Sequence, residues 1–173
     1  MEQPVINTKV RGLVISLILI IIALATYFAG LKMTGGVQWA GYIIFIAAII
    51  FSISQYGKQI NHVSTFGNYF AHGFKISATV TVIMIIYVVI FVTLFPEFKD
   101  QAMEEARKNM QAKNLSEEQM NTAIDISRKF FMVFLIGGTL IGYLLIGAIA
   151  SVIGAAVTKK TPNNLQQQTN PLI

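Results

Sequence analysis

The chain has 173 residues, of which 54% are hydrophobic and only 12% are charged. This composition is too apolar and too poor in charge for an ordinary soluble domain, and it indicates a membrane protein. The sequence has no cysteine, which excludes disulfides, thiolate metal sites and cysteine nucleophiles. The formal net charge is +5, but the basic residues lie at the ends of apolar runs, so they indicate membrane topology rather than nucleic acid binding.

Four apolar runs are long enough to cross about 30 Å of hydrocarbon. We predict spans at about residues 12–31, 37–56, 74–95 and 130–157. The first run is too long for the apolar region of a signal peptide, so we expect it to be retained. The connection after it is short, which predicts that the first two spans are antiparallel neighbours. Residues 1–158 are thus predicted to form one all-α, integral membrane four-helix bundle, followed by a disordered polar tail at 159–173.

The connection between the second and third spans, residues 57–75, is polar and aromatic. We predict that it forms an interfacial helix turning into the third span. Its histidines, His62 and His72, are ten residues apart without an acidic neighbour, so an interfacial role is favoured over a metal site. Lys58 and Lys75 are candidate contacts to anionic lipid, and Lys75 is expected to extend toward the headgroups.

The segment 96–129 is predicted to be an extramembrane helical hairpin between the third and fourth spans. Phe95-Pro96 predicts a break in the helix, and residues 113–116 predict a turn. Ser116 and Gln119 fit a capping box for the second arm. Each arm carries an apolar stripe, and we expect the two stripes to face each other. The stripes consist of Phe98, Ala102, Met103, Ala106 and Met110, and of Met120, Ala123, Ile124, Ser127 and Phe131.

Several segments in a definite order give this chain a family resemblance. They are Ser64 to Gly67, Phe95-Pro96, Asn114 to Gln119, and Gly147 to Ser151 followed by Lys159 and Lys160. In these the chain resembles the family catalogued as domain of unknown function 4199, small four-helix membrane proteins of Gram-negative bacteria. The resemblance implies a bacterial membrane protein and brings no activity. The family pattern tends to have Gly where this chain has Asn114, and a glycine pair where it has Asn61-His62.

The fourth span carries small residues four apart, a spacing that lets helix backbones approach closely in lipid. These helix-packing candidates are Gly138 with Gly142, Gly147 with Ser151, and Ala150 with Gly154. Two interpretations remain open. The small residues either form an interface with a second copy or a partner, or pack within the bundle of one chain.

The basic residues near the span ends predict the orientation in the membrane. With the N-terminus inside, the cytoplasmic set is Lys9, Arg11, Lys58, Lys75, Lys159 and Lys160. Arg128 and Lys129, next to the fourth span, count for the opposite orientation. We predict a multi-pass protein of the bacterial inner membrane, with both termini in the cytoplasm and the hairpin outside.

The apolar cores of the predicted spans carry no charged residue or histidine. Because intramembrane charges normally mark proton relays and ion paths, this counts against pumps, proton-coupled transporters and intramembrane metalloproteases. No catalytic triad pattern or phosphate-binding glycine loop occurs. We therefore predict no enzyme, no catalytic, cofactor-binding or metal residues, and no cofactor.

The leading functional hypothesis is a non-catalytic interaction or accessory protein that presents the hairpin. The alternative is an oligomeric channel or small-molecule carrier, which would need polar faces from several chains. The partners expected are the lipid bilayer and either a second copy of the chain or an unidentified membrane protein, with no nucleic acid.

Overall fold

The computed structural model describes residues 7–30 and 36–160, which contain six α-helices and no strand. The helices are α1 (Thr8–Phe28), α2 (Gly36–Gln59), α3 (Phe66–Leu94), α4 (Glu97–Gln111), α5 (Glu117–Lys129) and α6 (Phe131–Val157). Four of them, α1, α2, α3 and α6, are long and apolar enough to cross a membrane. The predicted all-α fold with four spans and additional helices between the third and fourth is confirmed. The predicted disordered tail lies outside the described residues from residue 161 onward.

The long helices expose apolar side chains at four-residue spacing, as helices that face lipid do. Such stripes run along α1, α3 and α6. They consist of Leu13, Leu17 and Ile21, of Val82, Ile86 and Ile90, and of Ile141, Leu145 and Ile149. A helix that is apolar both toward its neighbours and toward the outside is typical of a membrane span. These four long apolar helices indicate that the chain is a membrane protein.

The third helix, α3, includes residues that precede the predicted third span. Residues 66–73, predicted as an interfacial helix, form the first two turns of the continuous helix α3. The start is capped by Thr65, whose Oγ1 accepts a hydrogen bond of 3.3 Å from the backbone N–H of Asn68. Tyr69 and His72 are buried in these turns, so packing holds them in the same helix as the span.

Two connections place non-glycine residues in the left-handed backbone region. Asn61 and His62 have φ of 53° and 61° in the connection between α2 and α3. Asn114 has φ of 56° in the turn between α4 and α5. Glycine adopts this region without the steric cost that other residues incur.

The described chain divides into two compact units. The first unit consists of Met1–Ile83 and Gly142–Ile173, and the second of Met84–Ile141. The core of the first unit is built from fully buried side chains four residues apart on α2 and α3. These are Phe45, Ile49 and Ile53 on α2, and Ile76 and Val80 on α3. Helix α1 packs against α2, as the short connection between them predicted.

In the second unit, α4 and α5 pack against each other. Pro96 is the N-cap of α4, which confirms the predicted break after the third span. The predicted capping box of α5 is present, with Ser116 Oγ accepting from the Gln119 N–H and Gln119 Oε1 accepting from the Ser116 N–H. Met103 and Met120, one from each predicted stripe, are buried. The other members of the stripes in these two helices are half-buried, while the charged faces are largely exposed.

Candidate functional site

The most distinctive feature of the first unit is a cluster of buried polar side chains around Arg11. Arg11 belongs to the first turn of α1, yet it is only 7% exposed. Its Nη1 donates a hydrogen bond of 3.0 Å to the Ser52 carbonyl oxygen, and its Nη2 donates one of 3.4 Å to Gln59 Oε1. Both acceptors are neutral, so neither compensates the charge of the guanidinium. Arg11 Nε is buried without a hydrogen-bond partner among the described residues.

His72 lies in the same part of the first unit. It is 8% exposed, and its ring is stacked on that of Tyr56, with a centroid distance of 4.0 Å and an interplanar angle of 8°. His72 Nε2 is also buried without a hydrogen-bond partner in the part of the chain that the structure describes. The positive charges of Arg11 and Lys75 both act on this imidazole. The cluster therefore joins α1, α2 and α3 through polar groups whose hydrogen-bonding capacity is incompletely used.

The C-terminal end of α6 lies close to the C-terminal end of α2 and the N-terminal part of α3. The hydroxyl of Tyr69, a fully buried residue of α3, donates a 3.4 Å hydrogen bond to the Lys159 carbonyl oxygen. His62 Nδ1 lies 3.1 Å from the same oxygen, which can only accept. A Cβ on Gly57 would meet Thr158 Cγ2 at 2.7 Å, so α2 and the end of α6 approach closely there. The polar connection after α2 is thereby tied to the end of α6.

This end of the first unit is strongly basic. The cations on the N-terminal parts of α1 and α3 and at the C-terminal ends of α2 and α6 are Lys9, Arg11, Lys58, Lys75, Lys159 and Lys160. Except for Arg11, all of them are exposed. Seven of the eight acidic residues lie between Glu97 and Asp125, and the eighth, Glu2, precedes the described residues. No carboxylate in the described part of the first unit therefore balances these charges.

The predicted lipid contacts Lys58 and Lys75 both belong to this basic end. Lys58 lies in the last turn of α2, next to Gln59, which accepts a hydrogen bond from Arg11. Lys75 lies on α3 beside Ile76, and a Cβ added to Gly12 of α1 would be 3.3 Å from the Ile76 carbonyl oxygen. The structure thus places both lysines on the helices that surround Arg11.

The predicted packing residues of α6 have different surroundings. Gly147 faces Ser77 of α3 so closely that a Cβ would overlap the Ser77 hydroxyl. A Cβ on Gly154 would lie 2.6 Å from Ile53 Cδ1 and 3.3 Å from Ile50 Cα. Ser151 is fully buried, and its Oγ donates 2.6 Å to the Gly147 carbonyl oxygen. These three residues lie at contacts within the first unit.

The remaining two glycines are less enclosed. A Cβ on Gly142 would lie 3.4 Å from Tyr42 Oη, which is an ordinary van der Waals distance. A Cβ on Gly138 would have no described atom within 4 Å. The sequence spacing that marks these small residues therefore does not distinguish close contacts from open positions.

The hairpin of α4 and α5 carries paired charges on its surface. Arg107 donates to Glu117 at 3.0 Å, and Arg128 donates to Asp100 at 3.4 Å, so both ion pairs join the two helices. Lys108 donates 2.6 Å to Glu104 within α4, and this hydrogen bond and the charge of Glu104 raise the pKa of Lys108 above its ordinary value. These pairs are exposed to solvent, so each of them contributes little stability.

Comparison with known families gives one match that covers most of the chain. A family model described as Protein of unknown function (DUF4199) matches residues 11–160. The chain belongs to this family. Comparison with curated proteins and with solved structures gave no match. The match begins at Arg11 and ends at Lys160, so it contains the polar cluster, the hairpin and, except for Lys9, the basic end of this DUF4199 protein.

The buried cluster was not predicted from the sequence. Arg11 was predicted to lie outside the first span as a signal of membrane topology, whereas in the structure Arg11 lies within α1 and is buried. The available signal was the spacing of Ser52, Tyr56 and Gln59, which lie on one face of α2 and bring polar groups into a largely apolar helix. Within residues 7–30 and 36–160, no group of three His, Asp or Glu residues is arranged to hold a metal ion.

Proposed function

We propose that this DUF4199 protein is a non-catalytic membrane protein that presents the hairpin of α4 and α5 to a protein partner. The observation that carries the proposal is the contrast between the helices. The long helices α1, α3 and α6 expose apolar stripes suited to lipid, while the hairpin is polar and charged and its helix α5 is capped by Ser116 and Gln119. A polar element held in one register offers a partner a defined surface at a low cost in conformational entropy.

The outer face of α5 is the most suitable contact surface on the hairpin. It carries a shallow open depression lined by Glu118, Gln119, Thr122, Ala123 and Ile126. Ile126 is 48% exposed there, whereas Met120 of the same helix is buried. An exposed apolar side chain with polar neighbours is a common composition for a protein interface.

The alternative, an oligomeric channel or carrier, is less well supported by the long helices. Their threonines donate to the carbonyl oxygen four residues earlier, as Thr81 does to Ser77 and Thr139 to Leu135. Thr79 and Thr93 make the same hydrogen bond. Because these hydroxyl protons are already used within one helix, they add little hydrogen-bond donor capacity to a water-filled path. Liposomes containing the protein are expected to pass neither ions nor small solutes.

Crosslinking in native membranes tests the proposed partner surface. The chain has no cysteine, so single cysteines at Glu118 and Asn109 would report on α5 and α4 without background. A cysteine at Lys160, outside the hairpin, is the control. We expect a specific adduct from Glu118→Cys or Asn109→Cys, identified by mass spectrometry, and none from Lys160→Cys. Equal adducts from all three positions, or no adduct from the hairpin, would refute the proposal; self-adducts alone would identify the partner as a second copy.

The orientation is part of the proposal. We propose that the chain lies in the bacterial inner membrane with both termini in the cytoplasm and the hairpin outside. The basic end of the first unit supports this, because lysines and arginines next to spans are enriched on the cytoplasmic side. Reporter domains inserted at Asn114 and fused to the C-terminus test it. Cytoplasmic activity of the reporter at Asn114 would contradict the orientation.

A further inference from the structure

We propose that the α1–α2–α3 end of the first unit binds a phosphate group, either in the headgroup of an anionic lipid or as free phosphate. The site consists of Arg11, Lys58, Gln59, His72 and Lys75. The proposal does not depend on the hairpin or on its partner. It assigns an anionic ligand to this end of the first unit.

The charge of Arg11 has no counter-charge among the described residues of its unit. Burial of a guanidinium is costly unless a counter-charge and hydrogen bonds accompany it. Arg11 is 7% exposed and has as acceptors only a backbone carbonyl and an amide oxygen. A phosphate near this end would supply the negative charge that the described part of the unit lacks. Arginine is well suited to this role because it remains protonated in proteins.

Two buried side chains of the site have unused hydrogen-bonding capacity. Arg11 Nε and His72 Nε2 have no hydrogen-bond partner among the described residues, and both residues are more than nine-tenths buried. Arg11 Nε can only donate, and a ring nitrogen of histidine can carry a proton and donate. Two unsatisfied nitrogens in the same unit, with the positive charges of Arg11 and Lys75 acting on the imidazole, favour an anion over a cation at this end of the unit.

The two exposed lysines of the site, Lys58 and Lys75, lie on the helices that surround Arg11. Arg11 is the fourth residue of α1, which places it roughly 5 Å along the axis from the start of the helix. Lys75 is on α3 close to the level of Gly12, and its Cα–Cβ bond is tilted toward the N-terminus of α3, which is the basic end. Lysines in such positions extend their ammonium groups toward the headgroup region. In the proposed site, Lys58 and Lys75 contact the phosphate, and the positive charge of the buried Arg11 adds to its electrostatic attraction.

The charges of the site favour a ligand with a net negative charge, which is an anionic lipid headgroup or free phosphate, over a zwitterionic headgroup. All the charged side chains are cations, and the carboxylates of the chain lie in the hairpin or at Glu2. Among the described residues of the first unit, a choline or ethanolamine group would find no carboxylate. Anionic lipids attract basic groups next to membrane spans, and basic pockets between such helices bind their headgroups.

The test uses the full-length protein in a neutral detergent. Phosphatidylglycerol, phosphatidylcholine and inorganic phosphate are added separately, and bound ligand is counted by native mass spectrometry while the thermal unfolding midpoint is recorded. The variant Lys58→Gln/Lys75→Gln removes the exposed contacts. The variant Lys108→Gln/Lys113→Gln makes the same change of net charge on the hairpin and is the matched control.

We expect phosphatidylglycerol to bind about tenfold more tightly than phosphatidylcholine and to raise the unfolding midpoint. Lys58→Gln/Lys75→Gln should lose that preference, whereas the hairpin control should keep it. Binding and stabilisation by inorganic phosphate alone would identify free phosphate as the source; binding of phosphatidylglycerol without an effect of phosphate would identify the lipid. Equal binding of the two lipids without an effect of phosphate, or equal losses in the two double variants, would overturn the proposal.

Two variants of Arg11 separate its charge from its hydrogen bonds. Arg11→Lys keeps the buried positive charge and should retain most of the preference for phosphatidylglycerol, while Arg11→Gln should lose it. If Arg11→Gln does not fold, the lysine double variant still decides the outcome. A folded Arg11→Gln protein with unchanged selectivity would contradict the role given to Arg11.

Discussion

Replacement of Gly147 by alanine is expected to destabilise the first unit, although alanine is the better helix former. The added methyl group would overlap the hydroxyl of Ser77 on α3, and Ser77 Cβ would be only 2.5 Å away. Ser77 is fully buried, and its Oγ donates 3.1 Å to the Tyr143 carbonyl oxygen, so its side chain has no free space into which to turn. Helices α3 and α6 must therefore move apart.

The magnitude follows from two opposing terms. Overpacking a well-packed core by one methyl group costs about 1–3 kcal/mol. Replacing glycine by alanine in a helix gains about 1 kcal/mol. Because the overlap involves a Cβ atom as well as a flexible hydroxyl, we take the upper half of the cost. The expected net loss is about 1–2 kcal/mol for Gly147→Ala.

Gly138→Ala is the matched control on the same helix. No described atom lies within 4 Å of its added methyl group, so only the helix propensity term remains. We expect it to be neutral or to stabilise by up to about 1 kcal/mol. Reversible unfolding in mixed micelles, followed by circular dichroism, measures both variants. Equal stabilities of Gly147→Ala and Gly138→Ala would refute the close approach of α3 and α6, as would failure of Ser77→Gly to restore the Gly147→Ala protein.

Three further predictions concern the hairpin. Ser116→Ala removes the capping box shared with Gln119 and should destabilise α5 by about 1 kcal/mol, seen as faster amide hydrogen exchange in α5 with the exchange of α1 unchanged. Asn114→Gly should be neutral or stabilising and Asn114→Ala destabilising by about 1 kcal/mol in thermal unfolding, because φ is 56°; the opposite order would contradict this backbone conformation. Lys108 titrates above its ordinary pKa because of Glu104, so its small stabilising contribution is present below the ordinary pKa of lysine and is lost as the pH rises through the raised value. NMR titration of Lys108 in the wild type and in Glu104→Gln checks this, and an unchanged pKa in the variant would refute the pairing.

Local and compositional features of this protein could be predicted from the sequence alone. Long apolar runs separated by short polar connections determine four membrane-spanning helices, because hydrocarbon requires every backbone polar group to be satisfied within a helix. Pro96 ends a helix through its missing N–H, and Ser116 with Gln119 starts one through a capping box, so both boundaries depend on neighbouring residues only. The family resemblance was carried by short segments of the same local kind.

The tertiary structure decided which side chains meet. Gly138 and Gly147 have the same residue type in the same helix, but only the second lies against another helix, because its surroundings come from residues about 70 positions earlier. In the sequence, Arg11 is a basic residue that indicates membrane topology, whereas in the structure it is buried. The sequence pattern did not predict this burial because its partners Ser52 and Gln59 are 41 and 48 residues away. The candidate site depends on such distant contacts, and local patterns carry no information about them. The sequence determines the helices and their ends, and the packing of α1, α2, α3 and α6 determines where uncompensated charge is buried.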